Sequence, residues 1–177
     1  MSNRESITIT DETFVEAPAN ELGDGDLPSR FAIVPHRLVK EDGEILYYHK
    51  TESITLRKLF EREGISETRI EEGSLPSIDE RDATLLGPVL YFSGYFIINH
   101  WADVVSLVEI IQTYAKDRSA NTARLNIEYE TPKGESLTIR FDGDTEDLPE
   151  IIEAIKSDYS NSEVNVPDLE TADEPDE

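Results

Sequence analysis

The chain has 177 residues, 39 of them acidic and 16 basic, for a formal net charge of −23, and it contains no cysteine. That length suits one domain with tails. The missing thiols exclude disulfides and thiolate metal or redox sites, and the charge opposes the positive footprint that non-specific nucleic-acid binding needs.

Residues 1–30 hold seven acids and two bases and read as a flexible N-terminal segment. Ile7 and Ile9 alternate with Thr8 and Thr10 in the manner of a short edge strand. The stretch 17–29, APANELGDGDLPS, has the Pro, Gly, Asp and Asn content of a linker. The first residues lack a charged start followed by an apolar core, so the sequence predicts no signal peptide and a cytoplasmic protein.

A single α+β domain is expected over 31–159. A first hairpin at 31–49 is predicted from FAIVPHRLV and EILYYH with Asp42-Gly43 at the turn. Pro35 cannot donate to a ladder, which puts the first strand at an edge or breaks it. Thr51 or Ser53 caps a helix at 53–63, where Ile54, Leu56, Leu59 and Phe60 are apolar and Gly64 is the stop. Ile65 to Ile70 reads as a short strand, and 71–84 as a polar connection.

Leu85 to Lys116 is the one long apolar block. Its first half exceeds the usual strand length, and Pro88 suits a first helical position behind Gly87. A buried helix is therefore predicted from Pro88 to Ile98. Asn99 is a good N-cap for a second helix at 100–117. In that helix Trp101, Val104, Val105, Val108, Ile111 and Ala115 form the stripe. Leu107, Ile110 and Tyr114 widen it, so this helix should touch neighbours on two sides. The two form a central helical pair at 88–117. The run is shorter than the roughly 20 apolar residues of a membrane span, and Asn99, His100 and Asp103 interrupt it.

A second hairpin at 124–141 follows, with Leu125, Ile127 and Tyr129 on one face and Asn126, Glu128 and Glu130 on a wet face. A helix at 146–158 comes next, its stripe made by Leu148, Ile151, Ile152, Ile155 and Tyr159. Residues 160–177 are acidic and aperiodic and read as a disordered tail. The architecture is thus α+β, two antiparallel β-hairpins with a central buried helical pair and flanking helices.

Two resemblances follow. The spread of the acid excess, together with ten Arg to six Lys, resembles the acidic proteins of salt-in halophiles such as haloarchaea. Residues 99–156, from NHWADVVSLVEIIQTYA through LNIEYETPKGESLTIRFDGDTEDLPEIIEAI, resemble small effector-associated accessory modules of prokaryotic conflict systems in their succession of helix, hairpin and acid-led helix. The latter resemblance implies a regulatory or adaptor role without catalysis.

The residues that would carry chemistry are few. His36 and His49 flank the first hairpin's turn and would bind a metal if they faced each other with an acid. His100 beside Asp103 would be a general base oriented by a carboxylate. Tyr91, Tyr95 and Ile98 stand at helical spacing and would line a pocket or interface. The DGDTED run at 142–147 departs from a calcium loop and reads as helix capping. Arg57, Lys58 and Arg62 are diluted by Glu61 and Glu63. The expectation is a non-enzymatic interaction or regulatory module without cofactor, binding another protein or itself, and neither nucleic acid nor membrane. Its surface would be the outer face of one hairpin with the exposed side of the helix at 100–117. The alternatives are a metal-dependent or His-based hydrolase and an acidic nucleic-acid mimic that binds a basic protein.

Overall fold

A computed structural model describes residues 6–79 and 84–161. In chain order the elements are β1 (Ile7–Thr10), α1 (Glu16–Leu22), β2 (Phe31–Val34), β3 (His36–Val39), β4 (Ile45–Lys50), α2 (Thr51–Arg62), β5 (Ser77–Ile78), β6 (Leu85–Phe92), α3 (Gly94–Asn99), α4 (Trp101–Asp117), β7 (Thr122–Glu130), β8 (Ser136–Asp144) and α5 (Glu150–Ser160). A five-stranded sheet runs β1-β8-β7-β6-β2, and a small sheet runs β3-β4-β5. In the large sheet only β6 and β7 are parallel, joined by the α3–α4 crossover. The class is α+β.

The apolar block divides at Ser93. Residues 85–92 form strand β6, not the expected first half of a helical pair. Only the short α3 is helical before Asn99. Strand β6 is covered on both faces, so it shows no period-2 alternation and reads as a continuous apolar run. Ser93 turns the chain, because its Oγ accepts from the Phe96 N–H at 3.1 Å as the N-cap of α3. Asn99 closes α3 and donates its side-chain amide to the Tyr95 carbonyl, so it does not cap α4. The register of β6 against β7 slips between Leu86 and Val89. At this irregularity a Cβ on Gly87 would lie 3.1 Å from the Arg124 carbonyl.

Pro35 separates two strands that join different sheets. Phe31–Val34 pairs with β6, and His36–Val39 forms the hairpin with β4. Gly43 supplies the positive φ of the hairpin turn. Ile65 to Ile70 is not a strand. It runs past β2 with one backbone bond, Thr68 N–H to the Phe31 carbonyl at 2.8 Å. The Glu67 carboxylate accepts the Ile33 N–H at 3.2 Å in place of a neighbouring strand.

One face of the large sheet packs on α2, α3, α4 and α5, with Leu90, Ile127 and Ile139 of the sheet buried beneath Leu56, Leu107 and Ile155. The opposite face was expected to be wet. Part of it is covered by residues 11–22, so Val15 and Ala19 bury Ala32, Val34, Val89 and Tyr91. Residues 6–30 therefore supply the short edge strand read from the alternation at Ile7–Thr10 and, where the sequence reads as a linker, a covering helix. Glu128, expected on the wet face, is 1% exposed. Its Oε1 accepts the N–H groups of Phe14 and Val15. Thr138 beside it donates its hydroxyl to the Glu12 carbonyl at 2.5 Å. The expected acidic tail lies outside the described residues from 162 onward.

Burial pushes the Glu128 carboxyl above its usual 4.5, the two backbone N–H groups oppose this, and Glu16 adds to the rise. A raised acid stabilises the fold below the unfolded-state value, and that contribution is lost as pH rises through the folded-state value. Glu128→Gln keeps an acceptor for both N–H groups and removes the buried charge. Urea midpoints should show the variant gaining on the wild type as pH is raised above 4.5. Glu128→Ala leaves the two N–H groups unpaired and should be less stable by about 2 kcal/mol.

Candidate functional site

Helix α4 faces α2 on the side that the wide apolar stripe predicts, and between them lies a groove of about 550 Å³. The helices run antiparallel, since Glu52 at the start of α2 pairs with Arg118 and accepts the Tyr114 hydroxyl at the end of α4. Leu59, Ile65, Ile110 and Tyr114 give the groove its apolar floor. Glu63, Asp103, Glu109 and Asp117 rim it, with Arg62 as the one basic lining residue among the described residues. Asp103, Ser106, Ile110, Thr113 and Asp117 recur every three or four residues, so one stripe of α4 lines the groove along about 21 Å, at 1.5 Å per residue.

Behind α2 sits a buried polar cluster that the sequence reading did not assemble. Arg57 pairs with Glu67 and, at 3.1 Å, with Glu71. His49 lies 2.9 Å from the same Glu71 oxygen through its Nε2. The side chains of His49, Glu67 and Glu71 are 3%, 5% and 2% exposed. Burial alone would raise the Glu71 carboxyl. The His49 hydrogen bond, a backbone hydrogen bond and the charges of His49 and Arg57 reverse this and hold it below the usual carboxylate range. The cluster ties β4, α2 and the 65–71 segment to one another. In the sequence Arg57 reads as part of a charged helix face and His49 as a metal-ligand candidate, with nothing that joins the two. The two glutamates come from a loop ten and fourteen residues on from Arg57, a spacing that follows no local period.

The strand register answers the question of His36 and His49. His36 stands opposite Tyr48, and their rings stack at 5.3 Å and 25°. Directly opposed residues share a face and neighbours along a strand alternate, so His49 projects to the other face. The two do not face each other across the hairpin. Among the described residues, no group of three or more His, Asp or Glu side chains could hold a metal. Burial, then the charges of Lys50 and His49, lower the His36 pKa to about 4.

His100 and Asp103 do meet, with Nδ1 and Oδ2 3.5 Å apart. On the other side, Nε2 is 3.4 Å from Nη2 of Arg30. A guanidinium only donates, so Nε2 is the acceptor there and its lone pair is engaged with a cation. A general base at this position would first have to release Arg30. The ring also stacks on Phe96 at 5.6 Å. The expected helical row Tyr91, Tyr95, Ile98 is absent, because Tyr91 belongs to β6 and Tyr95 and Ile98 to α3. Tyr91 is buried under α1 and its hydroxyl is pushed up to about 12 by burial and by Glu130 and Glu128, whereas Tyr95 is 59% exposed. On the first hairpin Leu38, Val39 and Ile45 are exposed. At 142–147 the acids lie at the end of β8 and in a 3-10 turn, where the Thr145 hydroxyl donates to the Ala120 carbonyl at 2.8 Å.

Two substitutions test this picture. Arg57→Met strands two buried carboxylates and should lower unfolding free energy by about 3 kcal/mol or more. Adding Glu67→Gln and Glu71→Gln to it should restore part of the loss, read from urea titrations. His36→Phe keeps the stack on Tyr48 and removes the titration. The folded-state value lies below the unfolded 6.5, so the stability His36 contributes is full above pH 6.5 and is lost as pH falls towards 4. The wild type should lose up to about 3 kcal/mol more than His36→Phe across that window, less to the extent that water reaches the ring. Compared with protein-family models, curated proteins and solved structures, the chain matches none of them.

Proposed function

We propose that the chain is a non-catalytic interaction module whose α2–α4 groove receives a basic amphipathic helix of a partner protein. The observation that carries this is the composition of the groove: an apolar floor of Leu59, Ile65, Ile110 and Tyr114 between carboxylates of Glu63, Asp103, Glu109 and Asp117. A helix laid in a groove reads as apolar anchors at i, i+3, i+4 and i+7. Lys or Arg on its flanks would meet the rim, and its length would be about fourteen residues at 1.5 Å each. Charge complementarity at a rim governs association rate and partner choice, while the desolvated apolar centre supplies most of the affinity. Of the surface expected from sequence, this reading keeps the exposed side of the helix at 100–117 and leaves out the outer face of a hairpin. A regulatory or adaptor role in the cytoplasm of a salt-adapted prokaryote fits this reading. In molar salt the charge attraction is screened within about 3 Å, and the apolar floor would carry the contact.

The test is calorimetric titration with a synthetic Leu/Lys amphipathic peptide of that length, alongside circular dichroism of the peptide. Binding should be accompanied by a gain in peptide helicity. It should weaken about tenfold or more when Asp103, Glu109 and Asp117 are changed to Lys, since like charges across an interface cost several kcal/mol. The control changes Glu135, Glu150 and Glu153, three exposed acids on β-turn and α5 surfaces, to Lys. If the control triple weakens binding as much as the groove triple, the attraction belongs to the overall charge and the groove has no part in it.

A further inference from the structure

On the sheet face opposite the helices, α1 and residues 11–15 cover the end that carries Tyr91, Glu128 and Thr138. The other end is a cleft of about 380 Å³, within the size range of small-molecule sites. Arg124, Asn126 and Arg140 come up from adjacent strands in the rows Arg124↔Asp142 and Asn126↔Arg140. His36 and Lys50 of the small sheet form its wall. Three permanent cations thus meet at one concavity in a chain that has 16 bases against 39 acids.

Among the described residues, carboxylates also reach two of these cations, Arg124 and Arg140. Asp142 pairs with Arg124 at 3.3 Å, and Glu12 pairs with Arg140. Both pairs are about half exposed or more, at 64% and 70% and at 48% and 49%. Exposed pairs of this kind contribute at most about 1 kcal/mol. A guanidinium has five donors, so each arginine can bind an incoming oxyanion with small loss. The His36 Nε2 is buried and has no hydrogen-bond partner among the described residues. The His36 residue lines the wall of the cleft beside the cations. The slipped register at Leu86–Val89, where a Cβ on Gly87 would crowd the Arg124 carbonyl of β7 at 3.1 Å, forms one border of the cleft. Irregularities of this kind concentrate next to binding sites.

We infer that this cleft binds a small molecule bearing a phosphate, held by Arg124, Arg140 and Lys50 with Asn126 as a polar partner. A phosphate monoester brings close to two negative charges and three acceptor oxygens. Those match two guanidinium forks and an ammonium better than a single carboxylate does. The site lies on the opposite sheet face from the α2–α4 groove and is independent of it.

The experiment is calorimetric titration of the full chain with inorganic phosphate, AMP and citrate at matched ionic strength. Saturable binding of phosphate and AMP is expected, about tenfold weaker in Arg124→Ala and in Arg140→Ala. Both side chains are exposed, and far-ultraviolet circular dichroism checks that the variants fold. Binding of citrate as tight as that of phosphate would overturn the ligand class. No saturable binding of phosphate or AMP, or binding unchanged in the Arg124→Ala/Arg140→Ala double variant, would overturn the site.

Discussion

Strand β6 has no solvent face, and most of the architecture follows from that. Leu90 and Phe92 need cover on one side, Val89 and Tyr91 on the other. The first requirement is met by the four helices that follow or precede the strand. The second recruits residues 11–22, which carry too little apolar surface to fold alone. A seven-residue helix is far below the length at which isolated helices persist in water, so α1 exists because Ala32, Val34, Val89 and Tyr91 give Val15 and Ala19 somewhere to go. Once that segment lies down, the backbone groups at its start lose water. Glu128 and Thr138 then become buried, and their bonds to Phe14, Val15 and Glu12 satisfy what the covering segment would otherwise leave unpaired.

The Arg57 cluster solves a related problem at the sheet's edge. Strand β2 is the outermost strand beyond β6, and its exposed donors would be open to pairing with another chain. Glu67 takes the Ile33 N–H and Thr68 the Phe31 carbonyl, which closes part of the edge without adding a strand. That places a carboxylate in a dry location, and Arg57 neutralises it from α2. Burying such charges gains little net stability over an apolar packing. What it supplies is a set of directional contacts that join α2, β4 and the 65–71 segment.

What the sequence made legible divides along physical lines. Helices α2, α4 and α5 and the β7–β8 hairpin each have one wet and one dry side over much of their length, and periodicity reports that contrast directly. At β6 the contrast vanishes. Eight apolar residues containing Gly87 and Pro88 suit a buried helix as well as a buried strand, and only Ser93-Gly94, read as a cap after a strand, could have divided them. Residues 11–30 were unreadable for the opposite reason, since their order comes from the surface they cover. At the level of sites, the widened stripe of Leu107, Ile110 and Tyr114 announced a second neighbour for α4 and hence the groove. The hairpin histidines were misjudged through parity, because the turn closed by the Lys40 N–H on the Glu44 carbonyl at 2.8 Å sets the register in which His36 meets Tyr48.

Charge is spread along this sequence but sorted in space. The α2–α4 groove collects four carboxylates around an apolar floor, and the open end of the opposite sheet face collects Arg124, Arg140 and Lys50. The alternation of β7 and β8 makes the second grouping: residues at 124, 126, 140 and 142 fall on the outer face because 123, 125, 139 and 141 fill the core. A strand cannot move those cations elsewhere without turning its apolar side to water. In a chain of net charge −23, the sheet's own register thus fixes a locally basic cleft. Its field is opposed by the chain's net charge of −23, so an anion would feel it only at short range, where hydrogen-bond geometry and not long-range steering decides what stays.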